Sequence, residues 1–212
     1  MPDLAFRVEG AAAVTDAASP HVALSLRVSN RVAGERVHGA LLRCQVQIEP
    51  ALRKHDEPTA ARLRDLFGPA STWGRTMRAL LWTNASVSVP AFADDVLVDV
   101  ALPCSSDFAL ATPMYLNAVG DGEIPLTLFF SGTVFHEATG GVGAAPVPHT
   151  CETRFGLPHR AWADAIALVH GDTLPVPLRR DVVTRLLGYK AKRGLPTLER
   201  TIEALLARAE AE

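Results

Sequence analysis

The sequence predicts an α+β protein: an antiparallel β-sheet or sandwich body with a helical insertion, followed by a C-terminal helical segment. Three observations predict it. The first half alternates apolar and polar residues with period two. The last quarter carries apolar residues at helical spacing. Strands precede helices instead of alternating with them, which is the order of α+β folds. The expected division is a β-rich body over 1–156, with the insertion near 58–81, and a helical segment over 157–212 packed on the body.

The elements follow in order. Leu4, Phe6 and Val8 alternate with Ala5, Arg7 and Glu9. Val22, Leu24, Leu26 and Val28 do the same, as do Leu42, Cys44, Val46 and Ile48. Each is a strand with one dry face, the pattern of antiparallel sheets. The short link at Ala33-Gly34-Glu35 predicts that the second and third strands form a hairpin. Asp56, Glu57 and Pro58 then suit a helix start, since proline lacks an amide hydrogen that would be unpaired there anyway. Leu63, Leu66 and Phe67 give its stripe, and Gly68-Pro69 stops it; Met77, Leu80 and Leu81 predict a second helical piece over 73–81. Strands resume at Ala85–Val89 and Val96–Leu102.

The stretch from Asp107 to Val119 is ambiguous, and a short helix over 112–119 is the preferred assignment. A buried strand over 124–135 follows, then a glycine-rich loop over 139–143 and an edge strand over 146–155. Trp162, Ile166 and Val169 make one helical stripe, and Val182, Val183, Leu186 and Leu187 make a second. Lys190, Lys192 and Arg193 before Gly194 form a C-terminal stop, and Thr197 is placed to cap a last helix.

Composition narrows the function classes. A chain of 212 residues, 48% hydrophobic and 21% charged, can bury a core without staples and is not of the disordered type. A net charge of −2 argues against bulk attraction to nucleic acid or to an anionic membrane. The N-terminus reads as no signal peptide, and no apolar run is long enough to span a membrane. Three cysteines without framework spacing are read as reduced thiols, so a cytoplasmic protein is expected.

No catalytic constellation is legible. Cys44 lies in phase with its apolar neighbours and faces the core, whereas Cys104 ends a strand and is expected to be partly exposed. His136, His149, Cys151 and Cys104 are the weak metal candidates; two sulfurs and two imidazoles could hold zinc, but the spacing fits no compact ligand pattern. No metal or cofactor is therefore expected. A Gly-x-Ser-x-Gly elbow is absent, and Ser131-Gly132 marks a bend or a close backbone approach. Gly140, Gly141 and Gly143 lack the Lys-Ser/Thr of a phosphate loop, and Asp94, Asp95 and Asp99 read as a solvated strand end. If the protein is an enzyme after all, Asp107, His136, His149 and Cys151 are the first residues to test. Arg179, Arg180, Arg185, Lys190, Lys192 and Arg193, against the single anion Asp181, form a basic helix able to dock an acidic partner surface; a solvated helix face is the plainer alternative.

Three segments carry a resemblance: Leu42–Pro50, Asp121–Leu126 continuing to Phe130–Phe135, and Leu178–Asp181 with Lys192–Thr197. Together they resemble an uncharacterised, mainly actinobacterial family often encoded near nickel–iron (NiFe) hydrogenase and iron–sulfur assembly genes. A vaguer likeness is to the export chaperone SecB, in which strands precede a helix leading into a Gly-x-x-Pro segment, as at Gly122 to Pro125 here. This chain adds a helical insertion and a longer helical tail. The resemblance implies an accessory protein in hydrogenase assembly or operation; joined to the absence of a catalytic constellation, it leads to the expectation of a non-enzymatic accessory or chaperone-like protein, with a hydrogenase subunit or maturation factor as its partner. The alternatives are an enzyme or metal/cofactor-binding protein, and a structural subunit of a larger complex.

Overall fold

The dry faces written into the strands need a surface to close on, and in a computed structural model of the chain they close on one another. The structure describes residues 2–104, 111–171, 173, 176 and 178–211; Asp107 and Leu110 lie outside them. The chain divides into two compact units, Met1–Asp172 and Thr173–Glu212.

The first unit is an antiparallel sandwich. One sheet has the order β1 (Leu4–Ala13), β2 (His21–Asn30), β5 (Asp95–Pro103). The other has the order β4 (Leu80–Val89), β3 (Val37–Ile48), β6 (Glu123–Ala138), with β7 (Gly141–Val147) and β8 (Glu152–Pro158) sharing the far edge of β6. Val22, Leu24, Leu26 and Val28 from one sheet and Leu42, Cys44, Val46 and Ile48 from the other are buried in one apolar cluster. Phe6 stacks on Phe130 across it, with ring centroids 4.1 Å apart. The α+β class and the antiparallel sheets are as expected.

The expected hairpin between the second and third strands does not form. β2 pairs with β1 and β5, and β3 pairs with β4 and β6. Alternation fixes which face of each strand is dry and not which strand lies alongside; here the link crosses from one sheet to the other. Asn30 holds that crossing: its Nδ2 donates to the Glu35 carbonyl (2.8 Å) and its Oδ1 accepts from the amides of Asp3 and Val32.

The insertion comprises α1 (Glu57–Arg62), α2 (Arg64–Phe67) and α3 (Trp73–Thr76), with single 3-10 turns at Pro50–Leu52 and Ala70–Thr72. Asp56 caps α1 by accepting from the Thr59 amide, with Pro58 in the first turn as expected. The helical piece expected to reach 81 stops at Thr76. Leu80 and Leu81 instead open β4 opposite Ile48 and Gln47, where ladder bonds outweigh a marginal helical stripe. A short helix, α4 (Ala111–Ala118), leads into β6 close to the expected position. The glycine loop expected over 139–143 is a tight turn followed at once by β7. The single edge strand expected over 146–155 is two strands, β7 and β8.

A helix, α5 (His159–His170), closes the first unit. It buries Ala161, Trp162 and Ala165, while Val169, expected on the stripe, is 37% exposed. It packs on β1 and β2, and the compact unit therefore runs past the 156/157 boundary to 172. The second unit is a two-helix hairpin, α6 (Arg180–Arg193) and α7 (Leu198–Ala209). Gly194 ends α6 in the left-handed conformation (φ 62°), and Thr197 caps α7 by accepting from the Arg200 amide (3.1 Å).

Two local features carry predictions. On the outer face of the first sheet, Arg27 donates twice to Glu9 (2.6 and 2.9 Å) and once to Asp95, and Arg7 adds a third bond to Glu9. The hydrogen bonds from Arg27 and then Arg7 hold the Glu9 carboxyl down at about 2. Its folded value lies below its unfolded value, so the stability it contributes is present above pH ~4.5 and lost as pH falls toward ~2. Glu9→Gln is expected to flatten the pH dependence of the thermal midpoint across that window; an unchanged slope would contradict the assignment. In the core, the Tyr115 hydroxyl and His55 Nδ1 are buried without a hydrogen-bond partner among the described residues. Because an unsatisfied buried hydroxyl costs free energy, Tyr115→Phe is expected to leave stability unchanged or raise it by up to about 1 kcal/mol. Loss of more than that in denaturant unfolding would reveal a partner for the hydroxyl.

Candidate functional site

The fold disperses the metal candidates. Cys104 is buried at the end of β5, with Sγ 3.8 Å from the Leu102 carbonyl, and not partly exposed as expected, because the Trp82 indole and the Cys104 amide tie this strand end down through the carbonyls of Pro103 and Pro20. Cys151 is half-buried beside the Leu4 carbonyl. His136 lies on β6, its Nδ1 2.9 Å from the Glu137 carbonyl and 3.2 Å from a Glu35 carboxylate oxygen. His149 is exposed in the link between β7 and β8. Among the described residues, no three His, Cys, Asp or Glu side chains converge to hold a metal ion. Burial pushes the Cys44 and Cys104 thiols up to about 12, and pushes Cys151 upward as well.

The basic residues, by contrast, are brought together. Arg180, Arg185, Lys190, Lys192 and Arg193 all lie on α6, with Arg179 at its N-cap. No α6 side chain is buried. Leu187 on α6 and Ile202, Leu205 and Leu206 on α7 are exposed apolar side chains of the same hairpin. Between the helices, Tyr189, Arg193, Leu195, Ala204 and Arg208 line a groove of about 510 Å³. The Arg193 guanidinium sits 5.6 Å from the centre of the Tyr189 ring. Arg208 first, and Arg193 with it, hold the Tyr189 phenol below its usual range. The groove therefore presents two guanidinium groups and a phenol to whatever enters it. The region from Thr173 to Glu212 carries eight Lys and Arg against five Asp and Glu, whereas the first unit carries thirteen against eighteen. Positive charge is thus concentrated on the hairpin rather than spread over the chain.

Sequence reasoning missed a second concavity, on the outer face of the larger sheet. Arg43, Gln45, Asn84, Phe129, Phe130, Ser131 and His149 line a groove of about 420 Å³. These residues come from four separate stretches, and only strand register unites them. Arg43 lies opposite Ser86 and Ser131, and Gln45 lies opposite Asn84 and Phe129.

Comparison with known proteins finds likenesses to solved structures and one family. Similar solved structures include a protein assigned as ApaA from Bordetella pertussis, with 12% identity, a TM-score of 0.33, and coverage of 74% of this chain and 95% of that one. A β-glucosidase from Kluyveromyces marxianus has 9% identity and a TM-score of 0.29, with 73% of this chain matching 15% of its own. β-Glucosidase 3B from Thermotoga neapolitana has 13% identity and a TM-score of 0.27, with 73% of this chain matching 17% of its own. This chain thus spans about a sixth of either glucosidase, and likenesses at these scores carry no argument about activity. No curated protein matches the sequence. No helix among the described residues is long and apolar enough to cross a membrane. The family profile covers residues 1–212, and the chain belongs to the Family of unknown function (DUF6084).

Proposed function

We propose that this protein is a non-enzymatic accessory protein that binds an acidic surface of a partner protein through its C-terminal hairpin. One observation carries the proposal: α6 holds its cations on a helix with no buried side chain, beside exposed leucines and a groove lined by Arg193 and Arg208. Opposite charge steers encounter and fixes register, while the apolar side chains supply contact area. The family resemblance noted from sequence makes a hydrogenase subunit, or a factor in its maturation, the first partner to try. It also motivates a chaperone-like role in assembly.

Capture of the tagged full chain from native cells, at about 0.05 M and about 0.5 M salt, tests this directly, because exposed charge pairs are screened over that range. A partner recovered near stoichiometry at low salt and largely lost at high salt is expected. Recovery of the chain alone, or only with a second copy of itself, would contradict the proposal. Metal analysis addresses the alternative of an enzyme or metal-binding protein: stoichiometric zinc or iron would overturn the non-enzymatic reading.

A further inference from the structure

The two sheets treat an arginine on an interior strand in opposite ways. On β2, Arg27 is matched by the carboxylates of Glu9 and Asp95. On β3, Arg43 stands among Ser86, Ser131, Gln45 and Asn84, with no anion paired to it among the described residues. Gln45, Asn84, Ser131 and His149 likewise make no side-chain hydrogen bond among the described residues. Glu152 faces Phe129 in register, yet forms no ion pair with Arg43.

The groove around Arg43 has a structural origin. β6 pairs with β8 up to Phe129–Glu152 and with β7 from Gly132–Val147 onward. Between these pairings the sheet edge is notched, and the bond from the Phe130 amide to the Cys151 carbonyl (2.9 Å) bridges it. The link that turns there, 148–151, brings His149 to the rim. Phe129 is half-buried and offers an apolar surface next to the polar side chains. A volume of about 420 Å³ suits a small molecule.

We propose that this groove binds a small organic carboxylate with a flat apolar body. The planar guanidinium of Arg43 donates two parallel hydrogen bonds to the oxygens of a carboxylate, a geometry a point charge would not select. Ser131, Gln45 and Asn84 supply further donors at the rim, and Phe129 packs against the apolar portion. The site is independent of the hairpin, so the two proposals stand or fall separately.

Titration of the full chain with benzoate, followed by amide NMR at constant ionic strength, tests it. Benzamide and inorganic phosphate serve as comparison probes. Benzoate is expected to shift the amides of Arg43, Gln45, Asn84, Phe129, Ser131 and His149 saturably. Benzamide, which keeps the ring and loses the charge, should bind at least tenfold more weakly. Arg43→Gln should lose at least tenfold in benzoate affinity with an unchanged thermal midpoint, and Asn84→Ala should lose less. Shifts that do not saturate, equal binding of benzamide, tighter binding of phosphate, or full affinity in Arg43→Gln would each overturn the proposal.

Discussion

Gly132→Ala is expected to destabilise the protein by roughly 3 kcal/mol or more, enough to prevent folding of a marginally stable domain. Gly132 has φ 141°, a conformation that residues with a Cβ rarely adopt. A Cβ there would lie 2.1 Å from the Leu41 carbonyl oxygen and 3.0 Å from Leu42 Cα, both backbone atoms. Relief therefore requires β3 and β6 to separate where their pairing is central to the larger sheet. The site also sits where β6 changes partner from β8 to β7, so the damage would spread to both edge strands. Gly120 provides the control: it is exposed and a Cβ there meets nothing within 4 Å. Gly120→Ala is expected to change stability by no more than about 0.5 kcal/mol. Denaturant unfolding of the two variants checks both; a loss below about 1 kcal/mol in Gly132→Ala would contradict the close approach.

Reversing Arg185, Lys190, Lys192 and Arg193 to glutamate together is expected to weaken partner binding by about a hundredfold or more at low salt. The four side chains are not buried, so helix content and the thermal midpoint should hold. Three of them complement the negative end of α6, and their reversal will cost a few tenths of a kcal/mol each in that last turn. Together that cost is smaller than the roughly 2.7 kcal/mol that a hundredfold loss of binding represents. A binding curve against the captured partner, read beside circular dichroism, separates lost charge from lost fold. Unchanged binding would return α6 to a solvated helix face.

Much of the body was legible because period-two alternation states which face of a strand is dry. It does not state which strand lies alongside, and that is why β2 and β3 were expected as a hairpin when they belong to different sheets. Leu80 and Leu81 suited either helix or strand locally, and only the ladder with Ile48 and Gln47 decided between them. β7 was hidden because Gly141 and Gly143 read as loop, although pairing with Ala138 and His136 makes them strand. The α6 stop at Gly194 and the Thr197 cap were legible because caps are written in single residues. The basic cluster was legible for the same local reason. The groove at Arg43 was not: Arg43, Asn84, Ser131 and His149 are far apart in sequence, and register alone assembles them.

The central claim, that the hairpin is the docking element, is tested most directly by site-specific photo-crosslinking in native cells. A benzophenone amino acid would replace Leu187 on α6 or, as a control, the equally exposed Leu97 on β5. The account predicts one discrete, salt-sensitive adduct from position 187, with the crosslinked partner peptide rich in Asp and Glu, and no such adduct from position 97. No adduct from position 187, or the same adducts from both positions, would contradict it.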